Sequence, residues 1–239
     1  MIDIFLIICM NFDQNEVKEL NKEFHKSSPE EIIRKSQNLF KDKIVYISSF
    51  GIESAIILHM ISQIDKNFPI ALLNTNFLFK QTLDYKNKLI KIFNLKNFVE
   101  IFPDNSNLQK DDPNNNLWKS DVEKCCELRK VKPLNRFLKK YNAWISGRKS
   151  YQGGERFDVQ PFEFNNGKVV VNPLANFERK LVLLYFNNNN LPKHPLVEEG
   201  YLSVGCTHCT FKPKNIEDPR SGRWINQTKT ECGIHYKKD

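Results

Sequence analysis

Hydrophobic residues along this chain fall into two forms. Some are short unbroken runs; others recur three or four positions apart. Ile44-Val45-Tyr46-Ile47, Ile70-Ala71-Leu72-Leu73, Phe98-Val99-Glu100-Ile101-Phe102, Ala143-Trp144-Ile145-Ser146 and Val169-Val170-Val171 belong to the first form. Runs of that length, bounded by polar turn residues, predict buried strands. Helical spacing follows over Glu53–Ile64, Thr82–Phe93, from Cys125 to about Tyr141, and over Lys180–Phe186. Residues 13–40 read as one or two amphipathic helices, with Ser28-Pro29-Glu30-Glu31 as a helix start. Strands alternating with helices predict an α/β fold, a parallel sheet flanked by helices. The Asn-, Asp- and Pro-rich stretch Pro103–Asn116 reads as a loop, and the pattern is irregular after Pro195. The apolar opening Met1–Cys9 reads as an edge strand, or as residues ahead of a true start at Met10.

At 239 residues, 40% hydrophobic and 27% charged, the chain can bury a full core. Its net charge of +8 points to an anionic partner. No Lys/Arg-rich block stands out, so a small anion in a basic cleft is favoured over nucleic acid. The opening run is shorter than the roughly 20 residues that span a bilayer, and it lacks a basic n-region, so no membrane partner is expected. Six cysteines in a chain of this kind are expected to be reduced in a cytoplasmic setting, as ligands or catalysts.

Three constellations carry candidate chemistry. Ser48-Ser49-Phe50-Gly51-Ile52-Glu53-Ser54 joins a strand to a helix, where backbone N–H groups and serine hydroxyls can meet an anion. A plain turn is the bland alternative. The second, Gly147–Arg156, follows a strand and offers Arg148, Lys149 and Arg156 among glycines, or else a solvated surface loop. The third is the cysteine set. The doublet Cys125-Cys126 and the pair Cys206-x-x-Cys209 suit an iron–sulfur cluster or zinc. Adjacent cysteines are unusual for zinc, which favours the cluster, and neighbours on a helix reach one site only at an end or kink. Lys130, about one turn beyond Cys126, could offset negative charge there. Cys232 has no CxxC partner; His235, with Arg220 and Arg223 upstream, is expected to favour its thiolate. Cys9 reads as an orphan.

In this order the motifs closely resemble the assimilatory sulfonucleotide (APS/PAPS) reductase family, specifically its iron–sulfur adenylyl-sulfate (APS) reductase branch. The resemblance runs from about Tyr46 through the serine loop, Cys125–Leu134, Ala143–Gly147, Asn172-Pro173-Leu174, Gly205–Thr210, Arg220–Trp224 and Glu231–His235. It implies an adenine-nucleotide α-hydrolase-like (pyrophosphate-loop) fold with a mobile C-terminal tail. A 4Fe–4S cluster on Cys125, Cys126, Cys206 and Cys209 is implied as well. Cys232 would be the nucleophile, forming an S-sulfocysteine that thioredoxin or a glutaredoxin-like dithiol resolves to sulfite, in sulfate assimilation and cysteine biosynthesis. Lys130, Arg220, Arg223 and His235 would offset charge. Ser48, Ser49, Phe50, Gly51, Ser54, Thr75, Gly147, Arg148 and Arg156 would hold the nucleotide. The implied organisation is a helical segment 1–40, a nucleotide-binding α/β domain 41–200 and a C-terminal segment 201–239, with a homo-oligomer as a further expectation. Where the family has Leu-Asp-Thr-Gly, this chain has Leu73-Asn74-Thr75-Asn76, a change that could alter loop shape. The segment between Arg223 and Cys232 is also somewhat short. Reduction of PAPS is the alternative activity. An iron–sulfur tRNA thiolase is a weaker one, because the loop lacks the Ser-Gly-Gly-x-Asp-Ser expected for ATP cleavage.

Overall fold

The computed structural model describes residues 12–225, 227 and 229–236; the apolar opening, with its expected edge strand and Cys9, lies outside these. Residues 13–40 form two helices, because two separate capping boxes start them. Helix α1 (Gln14–Phe24) starts at Asp13 with Glu16 reaching back, and α2 (Pro29–Phe40) starts at Ser28 with Glu31. Pro29 stands in the first turn, where its missing N–H costs nothing.

The chain then alternates as expected: β1 (Ile44–Ser48), α3 (Ser54–Ile64), β2 (Ile70–Leu73), α4 (Lys80–Ile92) and β3 (Phe98–Ile101). Three short helices follow, α5 (Asn105–Asp111), α6 (Leu117–Ser120) and α7 (Val122–Cys126). A π-helical turn, Glu127–Val131, leads into α8 (Lys132–Leu138). The rest comprises β4 (Ala143–Ile145), β5 (Phe162–Asn165), β6 (Lys168–Val171) and α9 (Arg179–Asn188). Helix α5 lies where a loop was expected; the Asp104 carboxylate accepts from the N–H groups of Ser106 and Asn107 and so starts a helix in a polar stretch.

One six-stranded sheet has the order β3-β2-β1-β4-β6-β5. Every pairing is parallel except β5 with β6, so the sheet is mixed rather than wholly parallel. The additional edge strand arises from a hairpin at Asn166-Gly167, both with positive φ (52° and 71°), a combination that asparagine and glycine tolerate. The Asn21 side chain on α1 covers this edge. It donates to the Phe162 carbonyl at 2.8 Å and accepts from the Phe162 N–H at 2.9 Å.

The unbroken apolar runs follow from burial on both faces. Ile44 and Tyr46 of β1 join a large core with α1, α2, α3 and α9, whereas Val45 and Ile47 point the other way, toward Leu134 and Leu138 of α8. Strands β2 and β4 flank β1, which places the loops after β1 and β4 side by side at the C-terminal edge of the sheet. Ligands of open α/β sheets bind there. Among the described residues no helix is long and apolar enough to cross a membrane.

Candidate active site

A cavity of about 210 Å³ opens at that edge. Its walls bring together Ser48, Ser49, Gly51 and Ser54 from the β1 loop with Gly147, Arg148 and Arg156 from the β4 loop. Thr75, Lys130, Cys206, Arg220, Arg223, Cys232 and His235 complete it. Of the residues expected to hold the nucleotide, only Phe50 is absent from the lining. Its ring is buried in the core, edge-on to Phe98 with centroids 5.7 Å apart, and its φ of +47° sets the bend of the loop. The Ser48 and Ser49 hydroxyls accept from the Phe50 and Gly51 N–H groups at 3.2 and 3.3 Å, while Ser49 Oγ lies 3.5 Å from Ser54 Oγ. No side chain caps the start of α3; instead the Ser54 N–H donates to the Gly51 carbonyl at 3.1 Å and the Ile56 N–H to the Glu53 carbonyl at 3.3 Å.

The basic side chains are not free charges. Arg148 pairs with Glu163 and lies 3.4 Å from Asn172 Oδ1. Lys149 pairs with Glu53 at 3.0 Å and donates to the Gly147 carbonyl at 2.9 Å. Burial would raise the Glu53 carboxyl, but Lys149 and hydrogen bonds from Tyr151 and Gln152 outweigh it and hold the carboxyl below its usual range. Arg156 donates to Glu231 at 2.6 Å, and Arg220 lies 3.4 Å from the other oxygen of the same carboxylate. Burial acts to raise the Glu231 carboxyl, yet Arg156 and Arg220 hold it far below the ordinary carboxylate range. These carboxylates are 11 to 99 residues from their partners, and nothing in local spacing announces them.

Cys125 and Cys126 end α7, where the backbone passes into the π-helical turn Glu127–Val131. Cys206 and Cys209 pack with Trp224, and Cys232 packs against that group. None of these five cysteines is joined in a disulfide. Cys125 is pushed up to about 12 by burial and by Cys126, and feels Cys206 and Cys209 as well, so the two pairs share one neighbourhood. Cys126 rises to about 11 through burial, against the pull of Lys130. Cys206 moves the other way. Burial would raise it, but Lys130, a hydrogen bond from Thr75 and Arg223 together favour its thiolate. Among the described residues no three His, Cys, Asp or Glu side chains lie close enough to hold a single metal ion.

Lys130 stands between the thiols. Burial acts to lower its ammonium, but Cys206, Cys232 and Cys126 outweigh that and keep it charged. Lys229 is a second cation on this side and is buried, 2.5 Å from Glu123. Arg223 donates to the Cys209 carbonyl at 3.0 Å, and its guanidinium lies over Trp224, 4.5 Å from the ring centre. A Cβ at Gly205 would collide with that guanidinium. His235 does not act as the cation expected beside Cys232. It stacks on Trp144, and burial together with Arg148 holds it well below the usual histidine range.

The Asn74–Asn76 loop is closed by its own side chain. Asn74 Oδ1 accepts from the Asn76 N–H at 3.1 Å, as an aspartate would, and Asn76 sits at φ +64°, which asparagine tolerates better than most residues. Thr75 Oγ1 then lies 3.2 Å from Cys206 Sγ. Beneath it Arg129, fully buried, binds Asp112 at 2.7 Å, Asn115 at 2.6 Å and the Thr75 carbonyl at 3.3 Å.

The strand–serine loop–helix unit beneath an open cavity, on a sheet of this order, defines an adenine-nucleotide α-hydrolase-like fold. Within that class the chain belongs to the phosphoadenosine phosphosulfate reductase domain family, which residues 43–212 match. It is 40% identical over 222 residues to the adenosine 5'-phosphosulfate reductase of Chelativorans sp. (strain BNC1), covering 92% of this chain and 91% of that protein. It is 36% identical over 232 residues to the phosphoadenosine 5'-phosphosulfate reductase of Gloeobacter violaceus, covering 95% and 96% of the two chains. The crystal structure of phosphoadenylyl-sulfate (PAPS) reductase from Candida auris, a phosphate complex, superposes with a TM-score of 0.72 at 26% identity, over 84% of this chain and 99% of that one.

Proposed function

We propose that this protein reduces adenylyl sulfate to sulfite and AMP, with Cys232 as nucleophile. The observation that carries the reading is one shared cavity, lined by Cys232 and Lys130 together with the serine loop that leads into α3. A thiolate at Cys232 would attack the sulfur of the sulfonucleotide. The sulfur–oxygen bond to the phosphate breaks, AMP departs with that electron pair, and the cysteine carries an S-sulfo group. A dithiol such as thioredoxin then attacks the cysteine sulfur, sulfite leaves, and the resulting mixed disulfide closes on the second dithiol thiol. That returns Cys232 as a thiol and leaves the reductant as a disulfide. Lys130 and Arg223 would offset negative charge on the transferring group.

Cys125, Cys126, Cys206 and Cys209 would hold a 4Fe–4S cluster. Four buried thiols from two segments, beside Lys130 and the buried Lys229, fit its charge. When bound, the cluster would supply a compact charged group tying the end of α7 to the C-terminal segment. A lone zinc ion fits less well, since its cysteine pairs are normally spaced two to four residues apart and Cys125 and Cys126 are adjacent.

PAPS is the competing substrate. Arg148 and Lys149, the cations expected to meet an extra phosphate, are already matched by Glu163 and Glu53, which favours APS. Sulfite release from APS and from PAPS, each with and without thioredoxin, tests the reading. APS turnover that depends on a dithiol is expected. Turnover of PAPS alone would replace the substrate, and no sulfite from either would refute the activity.

A further inference from the structure

Glu231, the residue just before Cys232, is buried beneath the tail, and none of the roles above uses it. One carboxylate oxygen receives Arg156 Nε at 2.6 Å. The other lies 3.4 Å from Arg220 Nη2 and accepts the Cys232 backbone N–H at 3.1 Å. A single carboxylate thus joins a β4-loop arginine, a C-terminal-segment arginine and the backbone of the cysteine itself. Neighbouring contacts reinforce the junction. Arg220 also donates to the Thr230 carbonyl at 2.7 Å, and the Thr230 hydroxyl donates to Glu155 at 2.6 Å.

We infer that Glu231 is a positioning residue: it seats Cys232 in the cavity by anchoring the tail on Arg156 and Arg220, and it competes with the anionic substrate for those two guanidinium groups. This rests on the sulfonucleotide reading for its kinetic consequence, but the anchoring stands on geometry alone. Both arginines line the cavity, so an incoming phosphosulfate meets cations that already hold a carboxylate. Removing the negative charge while keeping the shape should therefore do two opposite things. It loosens the cysteine, which slows chemistry, and it frees the arginines, which tightens substrate binding. A residue that only supports the fold would lower the active fraction and leave KM where it was.

The test uses the full-length, cluster-loaded protein as wild type, Glu231→Gln, Glu231→Asp and Glu231→Ala, with circular dichroism and cluster absorption confirming folding. For Glu231→Gln we expect kcat to fall by about 10- to 100-fold, the scale of a misplaced reacting group, with a lower KM for APS. Glu231→Asp should recover part of kcat. A kcat within about twofold of wild type, or a fall in kcat with unchanged KM, would overturn the assignment. Independently of turnover, hydrogen–deuterium exchange of the peptide containing Cys232 should quicken in substrate-free Glu231→Ala, and unchanged protection would also overturn the anchor. Wild type that releases no sulfite refutes the activity, and the exchange result then decides the anchor by itself.

Discussion

Trp144 and His235 stack with ring centroids 5.1 Å apart and planes inclined by 18°. Strand β4 thereby holds the tail three residues beyond Cys232, by a contact between apolar faces. Burial and Arg148 keep the imidazole neutral, so its contribution is packing. Replacing His235 with Phe keeps a ring on Trp144 and should retain most sulfite formation. His235→Ala loses a stack worth about 0.5–1.5 kcal/mol, or roughly 2- to 13-fold if the loss falls entirely on tail docking. Steady-state rates for the two variants check this; equal activities would refute the packing role.

Cys232→Ser should keep fold and cluster colour but lose turnover by on the order of a thousandfold or more, because a hydroxyl cannot form the S-sulfo bond a dithiol resolves. Wild type incubated with APS and no reductant should gain the mass of one SO₃ group on the Cys232 peptide. Label on Cys125 or Cys206 would refute the assignment.

Arg129 and Asp112 form an ion pair withdrawn from water, with side-chain exposures of 1% and 0%. Arg129→Ala would leave the Asp112 carboxylate buried without its cation, and should cost about 3–5 kcal/mol of stability by urea titration. Because Arg129 also holds the Thr75 carbonyl, the variant should loosen the loop that touches Cys206.

His194 is wholly enclosed, accepting from the Leu196 N–H at 3.2 Å and meeting Thr82 Oγ1 at 3.1 Å. Burial lowers its pKa from 6.5 to about 4. The folded protein therefore holds this imidazole neutral while the unfolded chain protonates it near 6.5. Its contribution is fully present above that pH and is lost progressively as pH falls from 6.5 toward 4. The loss should total on the order of 3 kcal/mol. His194→Gln should flatten that part of the stability–pH curve, measured by denaturant midpoints.

Asn76 at φ +64° predicts that Asn76→Gly is nearly neutral and Asn76→Ala destabilising by about 1–2 kcal/mol. Melting temperatures of the two variants distinguish them.

Five strands were legible as short apolar runs; β1, β2, β4 and β6 are largely buried on both faces, while β3 at the sheet edge is only partly covered. Strand β5 was not, since Phe162-Glu163-Phe164-Asn165 alternates and is short. The signal that could have found it is Asn166-Gly167, the turn pair placed between two four-residue segments. Helix α5 hid behind Asn and Asp residues whose average preference is for loops, although Asp104 is a good cap there. At the site, the cysteines and the serine loop were readable from local spacing. The pairing of Arg148 with Glu163, and of Arg156 with Glu231, was not, because a long-range ion pair leaves no periodic trace. The cation count thus suggested a more open positive cleft than the fold provides.

Asn21 gives the sheet its ending. An outermost strand normally displays a row of unsatisfied peptide groups that can recruit a strand from a neighbouring molecule. Here one amide side chain presents a donor and an acceptor in the positions of a backbone, and Phe162 is satisfied by both. The helix therefore imitates a seventh strand for the length of one residue. Asn21→Leu would leave those two peptide groups bare, and the expected cost is a stickier protein more than a weaker one.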